Sequence, residues 1–239
     1  MKNVSDLKIK LYSDGANKND ILEMYQKPYI SGFTTNPTLM KKAGITDYRS
    51  FCLDILQFVV NRPISFEVFA DDFEDMRRQA LEIKDWGKNV FVKIPVTNTS
   101  GEPSYSLIES LANEGVGLNV TAVMTLEQVT NITKSMANAQ NGIISVFAGR
   151  IADTGRDPIP VMKESLQIIQ ENNPALELLW ASPRELLNIF QADDIGCHII
   201  TATPDILKKL DLVGKKLAEF SLETVKMFYE DACRAGYFL

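Results

Sequence analysis

Histidine is almost absent from this sequence, and cysteine is scarce. The 239 residues include one histidine, His198, and three cysteines, Cys52, Cys197 and Cys233. A single histidine excludes mechanisms that need a histidine pair and leaves little room for a histidine-rich metal site. The cysteines are far apart and form no CxxC motif, so we expect neither a disulfide framework nor a zinc site. We interpret His198 as a hydrogen-bonded core or interface residue.

The sequence also lacks an excess of positive charge and any long apolar run. Its 25 lysines and arginines are outnumbered by 31 aspartates and glutamates, which gives a net charge of −6. We expect neither nucleic acid nor a membrane as a partner, and a few local cations would have to hold any anionic substrate. No stretch has the length of a membrane span, and residues 1–15 lack the apolar core of a signal peptide. We therefore expect a reduced, cytoplasmic protein.

Short strand-like segments recur along the chain, and a helical pattern follows each of them. The segments are 9–15, 31–40, 63–70, 89–97, 116–124, 141–150, 175–182 and 196–204. Strands that alternate with helices predict a parallel sheet. Their number and their spacing of about 20 to 35 residues favour an α/β fold of the (β/α)₈ barrel type. A doubly wound sheet uses the same alternation and is the competing fold.

No Gly/Ser-rich linker or low-complexity tract interrupts this series, so we predict one barrel domain over residues 1–239. A helical extension follows the eighth unit, over about 212–239. Its apolar residues fall at helical spacing and form one stripe; they are Leu222, Val225, Phe228, Tyr229 and Ala232. The stripe either covers the barrel or docks on another subunit, and we expect a homo-oligomer that forms through this helix.

The segment "NVFVKIPVT" (89–97) places Lys93 in an apolar strand, where lysine is almost never buried without a partner. Active sites of such barrels lie at the carboxyl ends of the strands, and strand side chains alternate between the interior and the helix layer. Most predicted strands end in polar residues that share the parity of Lys93. They are Asp14, Thr34, Asn36, Ser65, Glu67, Asn119, Thr121, Ser145 and Ser182, with Arg150 in the loop after the sixth strand and Arg184 in the helical turn after the seventh.

This set of side chains limits the chemistry. Apolar surroundings favour the neutral form of a lysine amine, which is the nucleophile that forms a Schiff base with a ketone or an aldehyde. Arg150 and Arg184 suit a phosphate group, and Ser182 follows the seventh strand, where barrels often bind phosphate. The set indicates Schiff-base chemistry on a phosphorylated carbonyl compound. If the buried amine is costly, Lys93→Met should preserve or raise stability.

Structural explanations remain open for several of these residues. Lys93 could be ion-paired with Glu67 or Asp14 in a purely structural interior. The arginines could be ordinary surface residues, and Asn36 before Pro37 could reflect turn chemistry. Thr34 and Thr121 could be simple strand formers.

Several motifs resemble those of the transaldolase family, which includes fructose-6-phosphate aldolase-like members. "GFTTNPTL" and "VFVKIPVT" carry the most specific resemblance. "LYSDGAN", "GVGLNVTAV", "SVFAGRI" and "WASPREL" are similar to further family motifs, and the resemblance runs from about residue 9 to about residue 220.

The resemblance implies a catalytic role for four residues. Lys93 would be the Schiff-base nucleophile, and Glu67 the acid/base that acts through a water molecule. Thr121 would help to hold that water. Asp14 would accept the hydroxyl proton of the substrate as the carbon–carbon bond breaks.

The resemblance also implies a set of substrate-binding residues, and no metal or organic cofactor. Asn36 and Thr34 would orient Lys93 and the substrate, Asn119 and Ser145 would bind the dihydroxyacetone moiety, and Arg150, Ser182 and Arg184 would hold the phosphate. Phe147 completes the set. Together with Glu67 it resembles the transaldolase pattern, whereas the aldolase-like members have glutamine and tyrosine at these positions.

We therefore expect a transaldolase that moves a dihydroxyacetone unit from a ketose phosphate to an aldose phosphate, as in the pentose phosphate pathway. One alternative is a specialised transaldolase-like or fructose-6-phosphate aldolase-like enzyme for an unusual ketose or an anionic sugar. It is motivated by Ser13, Gly15 and Pro183, which depart from the family motifs. The other alternative is a non-catalytic barrel in which Lys93 is ion-paired.

Overall fold

Eight parallel strands close into a barrel in a computed structural model that describes residues 2–238. The strands are β1 (Lys10–Asp14), β2 (Ile30–Thr34), β3 (Ile64–Glu67), β4 (Val90–Pro95), β5 (Leu118–Val123), β6 (Gly142–Val146), β7 (Leu176–Trp180) and β8 (Ile199–Ala202). Each strand pairs with the next in the chain, and β8 pairs with β1. The predicted (β/α)₈ barrel is therefore confirmed. Met1 and Leu239, the ends of the predicted domain, lie outside the described residues.

Eleven α-helices alternate with these strands within residues 2–238. They are α1 (Lys18–Tyr25), α2 (Pro37–Lys42), α3 (Tyr48–Leu56), α4 (Phe73–Lys84), α5 (Tyr105–Asn113), α6 (Leu126–Ser135), α7 (Ala148–Asp153), α8 (Ile159–Asn172), α9 (Leu187–Asp194), α10 (Pro204–Leu207) and α11 (Leu217–Ala235). The six-residue helices α2 and α7 are absent from the predicted pattern, because six residues are too few to display a 3.6-residue period. None of the described helices is both long enough and apolar enough to cross a membrane.

Polar side chains fix where several helices begin. Asn17, Asp47, Asp72 and Thr125 each accept hydrogen bonds from backbone N–H groups in the first turn of the helix that follows. These N–H groups have no partner inside the helix, and each such cap stabilises a helix by about 1 kcal/mol. The caps hold the loops at the barrel mouth in defined positions.

Strand side chains pack into two apolar layers, one on each side of the sheet. In β4, Val92 and Ile94 are fully buried against the helices, while Phe91 packs against the apolar cluster inside the barrel. Lys93 alternates with them and so shares the interior face with Phe91. Lys93 therefore faces the barrel interior, as strand alternation predicts.

An apolar cluster packs inside the barrel. It consists of Tyr12, Ile143, Leu179, Ala181 and Ile199. A Cβ atom on Gly32 would lie 2.5 Å from the Tyr12 ring, so this ring position requires glycine on the neighbouring strand. Just before β8, the partly buried His198 accepts a hydrogen bond at Nδ1 from Leu178 N at 2.9 Å, so its side chain is hydrogen-bonded as expected.

The structure corrects the predicted surroundings of both arginines. Arg150 belongs to α7, and Arg184 lies in a loop, because α9 begins only at Leu187. Ser182 has a φ angle of 57°, a left-handed conformation that turns the chain away from β7. A Cβ atom at residue 149 would lie 1.5 Å from the Ser182 carbonyl oxygen, so Gly149 permits α7 to pack against this turn.

The predicted carboxyl-terminal helix is confirmed as α11, which ends at Gly236 in the left-handed conformation (φ 67°). No residue of α11 is buried within the described chain. Large apolar side chains are exposed along it, namely Leu217, Phe220, Leu222, Val225, Met227, Phe228 and Tyr229. The apolar stripe therefore does not cover its own barrel.

Candidate active site

A cavity of about 490 Å³ opens at the carboxyl ends of the strands. It is lined by Asp14, Thr34, Asn36, Pro37, Thr38, Leu39, Lys42, Glu67, Lys93, Thr121, Ala122, Ser145, Phe147, Arg150, Ala181, Ser182, Pro183, Arg184, Thr201 and Thr203. Every residue to which the family resemblance assigns a role is in this set except Asn119, and Ser65 of the convergent polar set is also outside it. The structure therefore brings together side chains from seven of the eight strands and from several of the loops that follow strands, including the loop after β7.

Lys93 lies buried in the floor of the cavity, where two oxygen atoms hold its amine. Nζ donates a hydrogen bond to the Thr35 carbonyl oxygen at 2.8 Å and lies 2.9 Å from Glu67 Oε2. Lys93 and Glu67 are direct neighbours in the register of β4 and β3. Apolar strand neighbours therefore do not surround the amine on every side, because a carboxylate and a backbone carbonyl oxygen are in contact with it.

Asp14 belongs to a second polar cluster, formed with β2 and β8. Thr34 Oγ1 donates to Asp14 Oδ1 at 2.8 Å and lies 2.6 Å from Thr201 Oγ1. Burial raises the pKa of Asp14, and the nearby Lys93 charge and the Thr34 hydrogen bond only partly offset this effect. Thr34 therefore orients Asp14, whereas the predicted support of Lys93 comes from the backbone of Thr35.

Asn119 lies beneath the cavity and does not line it. Its Nδ2 donates to Ser65 Oγ at 3.0 Å, and Ser145 Oγ donates to its Oδ1 at 2.6 Å. The Asn119 side chain is fully buried, and an amide without hydrogen-bond partners would be costly to bury. The two hydroxyl groups supply these partners. Asn119 therefore orients Ser145 at the cavity surface, and a direct contact of Asn119 with a substrate stays a prediction.

Thr121 presents a hydroxyl group that the protein leaves unpaired. Its Oγ1 is buried and has no hydrogen-bond partner among residues 2–238. The next residue, Ala122, has a φ of 63°, and the register with β6 is irregular between Val120 and Val123. Such a bulge changes the direction of a side chain, and strained backbone concentrates at functional sites.

Asn36 combines the turn role and the predicted site role. Its Oδ1 accepts a hydrogen bond from Leu39 N at 2.9 Å and caps α2, whose first residue is Pro37. The same side chain lines the cavity. The side-chain oxygen of Asn36 therefore has a structural role as a helix cap, and the residue also lines the cavity.

Cationic side chains gather on the side of the cavity formed by β6 and β7. The Arg150 guanidinium lies 5.8 Å from the centre of the Phe147 ring. Arg184 Nε donates to Asp153 Oδ1 at 2.9 Å, and its Nη2 pairs with the second oxygen of Asp153. The Arg184 guanidinium holds the pKa of Asp153 below its usual range. Arg184 is therefore held in place by a carboxylate before any ligand binds.

Sequence reasoning missed four further polar residues of the lining. They are Thr38, Lys42, Thr201 and Thr203. Thr201 carries the interior parity of β8, so extending the strand-by-strand comparison to the eighth strand would have identified it. Thr38 and Lys42 lie on α2, which the sequence pattern did not reveal. Among residues 2–238 there is no group of three or more His, Cys, Asp or Glu side chains arranged to hold a metal ion.

The Lys93–Glu67 contact changes the expected stability of Lys93→Met. This substitution leaves the Glu67 side chain, which is only 18% exposed, without its counterion. We expect the free energy of unfolding to fall by about 1–3 kcal/mol, the cost of a desolvated polar group that loses its partner. Lys93→Met/Glu67→Gln removes both charges and should recover most of this loss in urea denaturation at neutral pH. A single variant as stable as the wild type would contradict the prediction.

Comparisons with known proteins identify the family of this chain. A model of the family "Transaldolase/Fructose-6-phosphate aldolase" matches residues 11–237. A "Probable transaldolase" of Thermoanaerobacter sp. (strain X514) is 32% identical over 228 residues, which cover 95% of this chain and 99% of that protein. A "Probable transaldolase" of Mesorhizobium japonicum is 34% identical and covers 91% of this chain and 97% of its own. The chain belongs to the transaldolase/fructose-6-phosphate aldolase family.

Proposed function

We propose that this family member is a class I transaldolase, which transfers a dihydroxyacetone unit from a ketose phosphate to an aldose phosphate through a Schiff base on Lys93. The supporting observation is the buried Lys93 amine, 2.9 Å from the Glu67 carboxylate, in the floor of an open cavity. A structural ion pair needs no cavity above it. The alternative of a non-catalytic barrel does not account for the polar residues that converge there.

Schiff-base formation begins with the transfer of a proton from Lys93. Glu67 accepts this proton, and the neutral Nζ attacks the ketose carbonyl carbon to give a carbinolamine. After the attack, one proton moves from the new C–N nitrogen to the oxygen, and Glu67 returns a second proton to this oxygen, which leaves as water while the protonated C=N bond forms. The unpaired hydroxyl of Thr121 is suited to hold a water molecule that carries the proton between Glu67 and this oxygen.

Asp14 acts in the carbon–carbon bond step. Its carboxylate removes the proton of the hydroxyl on the substrate carbon that becomes the aldehyde. The carbon–carbon bond then breaks, and its electron pair moves into the protonated C=N group to form an enamine on Lys93. Because burial raises its pKa, Asp14 is a stronger base than an exposed aspartate. The enamine attacks an acceptor aldehyde, and Asp14 returns the proton to the new hydroxyl.

Arg150, Arg184 and Ser182 form the proposed phosphate subsite. Both arginines and the serine line the same side of the cavity, and Arg184 is already oriented by Asp153. Guanidinium groups bind phosphate through paired, charge-assisted hydrogen bonds. The phosphate would fix the distance between the sugar carbonyl and Lys93.

Phe147 favours transfer over simple cleavage. Its ring lines the cavity and carries no hydroxyl group that could protonate the enamine. The enamine is then consumed by an acceptor aldehyde rather than released as free dihydroxyacetone. The specialised alternative keeps the same chemistry with another ketose or anionic sugar, and Pro183 in the phosphate-side loop is the feature that favours it. Cytoplasmic location and a place in the pentose phosphate pathway stay predictions.

Borohydride trapping tests the proposed function. With fructose 6-phosphate and borohydride, the wild type should gain a covalent adduct that peptide mapping assigns to Lys93. Lys93→Met should gain none. Lys10→Met is a matched control, because Lys10 also lies on a strand and pairs with a glutamate, Glu177, at 2.7 Å, yet does not line the cavity. It should be trapped like the wild type.

The acceptor distinguishes the candidate reactions in the same assay. Erythrose 4-phosphate should give a seven-carbon ketose phosphate, whereas free dihydroxyacetone in its place would indicate an aldolase. Turnover of another ketose, with none of fructose 6-phosphate, would favour the specialised enzyme. Active protein without an adduct on Lys93 would contradict the Schiff-base mechanism.

We also propose that a second copy of this chain covers the apolar face of α11. Light scattering should then give a multiple of the 26.8 kDa chain mass for the wild type. Charges at the centre of the stripe, in Val225→Glu/Phe228→Glu, should reduce the mass toward that of one chain, because burying them in an interface is costly. Arg234→Glu changes charge on the opposite face and should leave the mass unchanged. A monomeric wild type would contradict the proposal.

A further inference from the structure

The hydroxyl group of Tyr48 binds both backbone polar groups of Glu67. It donates to the Glu67 carbonyl oxygen at 2.7 Å and accepts from the Glu67 N–H at 2.9 Å. Tyr48 is the first residue of α3 and belongs to the helix layer, not to the barrel. Glu67 is the last residue of β3. A helix side chain therefore holds the strand end that carries the carboxylate beside Lys93.

A missing strand partner explains this contact. The pairing of β2 with β3 ends at Thr34 and Ser65, because the chain then leaves the sheet at Asn36 to begin α2. Val68 N donates to Lys93 O on the β4 side of β3. In a parallel strand, alternate residues bond to opposite neighbours, so the N–H and C=O of Glu67 face the side that β2 has vacated. The Tyr48 hydroxyl takes the place of the backbone partner that β2 would otherwise supply to Glu67.

The ring of Tyr48 is fixed by other aromatic rings. Its centre lies 5.3 Å from that of Phe69 and 6.1 Å from that of Trp86, both in tilted or edge-on arrangements. Burial raises the pKa of Tyr48, so the phenol keeps the proton that it donates to Glu67. One proton and two lone pairs on this oxygen suffice for both hydrogen bonds.

We infer that Tyr48 is a positioning residue that holds Glu67 within reach of the Lys93 amine. The inference rests on the proposed acid/base role of Glu67. The connection has three links: the Tyr48 hydroxyl, the Glu67 backbone, and the 2.9 Å contact between Glu67 Oε2 and Lys93 Nζ. A rotation of the backbone at the strand end would move the carboxylate relative to the amine, and proton transfer needs hydrogen-bond distance.

Tyr48→Phe tests this inference, because it removes the hydroxyl and keeps the ring that packs against Phe69 and Trp86. We expect the rate of adduct formation on Lys93, measured with fructose 6-phosphate and borohydride, to fall about tenfold, since small misplacements of catalytic groups slow reactions strongly. The KM should change little, and the pH dependence of the rate should shift. Tyr25→Phe, with a ring that packs against Phe33 outside the cavity, is the matched control and should leave the rate unchanged.

A double-mutant cycle with Glu67→Gln shows whether Tyr48 acts through Glu67. In the Glu67→Gln background, Tyr48→Phe should have little further effect on the rate per folded protein. An equal loss in both backgrounds would overturn the inference, as would a lower melting temperature with an unchanged rate and pH profile. A wild type that forms no adduct on Lys93 would overturn the proposed function and this inference together, whereas equal adduct formation in the wild type and Tyr48→Phe would overturn the inference alone.

Discussion

The contact between Lys93 and Glu67 is the interaction on which the organisation of the barrel mouth depends. A buried amine needs an acceptor, and a partly buried carboxylate needs a counterion. The register of β3 and β4 places the two side chains next to each other, and the Thr35 carbonyl oxygen supplies a second acceptor for the amine. The pair thus accommodates an amine in an apolar strand and places a carboxylate beside it.

The rest of the site surrounds this pair in separate hydrogen-bonded groups. Asp14, Thr34 and Thr201 form one group, and Ser65, Asn119 and Ser145 form another. Arg184 with Asp153 forms a third on the cationic side. Each group is oriented by its own partners before a substrate binds, which lowers the reorganisation that a reaction would require. Such preorganised polar groups are what a reaction with several proton transfers needs.

Much of the fold followed from the sequence because it depends on local periodicity. Alternation within each strand and the repeated strand–helix pattern predicted the barrel, and strand parity predicted that Lys93 and Glu67 face the interior. Parity does not report register, so the sequence allowed Lys93 to pair with Glu67 or with Asp14. It also could not show that Asn119 lies one layer below the cavity, because depth in the barrel depends on the stagger between strands.

Contacts made through backbone atoms were beyond reach of the sequence pattern. In the sequence pattern Tyr48 is an ordinary helix residue. Its partner in the structure is the main chain of Glu67, and main-chain atoms are the same for every residue type, so the sequence does not indicate this contact. The same holds for Ser182 and Ala122, whose positive φ angles are unusual for residues other than glycine. The apolar stripe of α11 was evident from its spacing, whereas its exposure became known only from the structure.

The Schiff base on Lys93 is best tested by the structure of the protein after borohydride reduction in the presence of fructose 6-phosphate. We predict a covalent bond between Lys93 Nζ and the former carbonyl carbon, with Glu67 Oε2 close to that nitrogen and the phosphate bound by Arg150 and Arg184. A sugar attached elsewhere, or a phosphate on the opposite side of the cavity near Lys42, would contradict it.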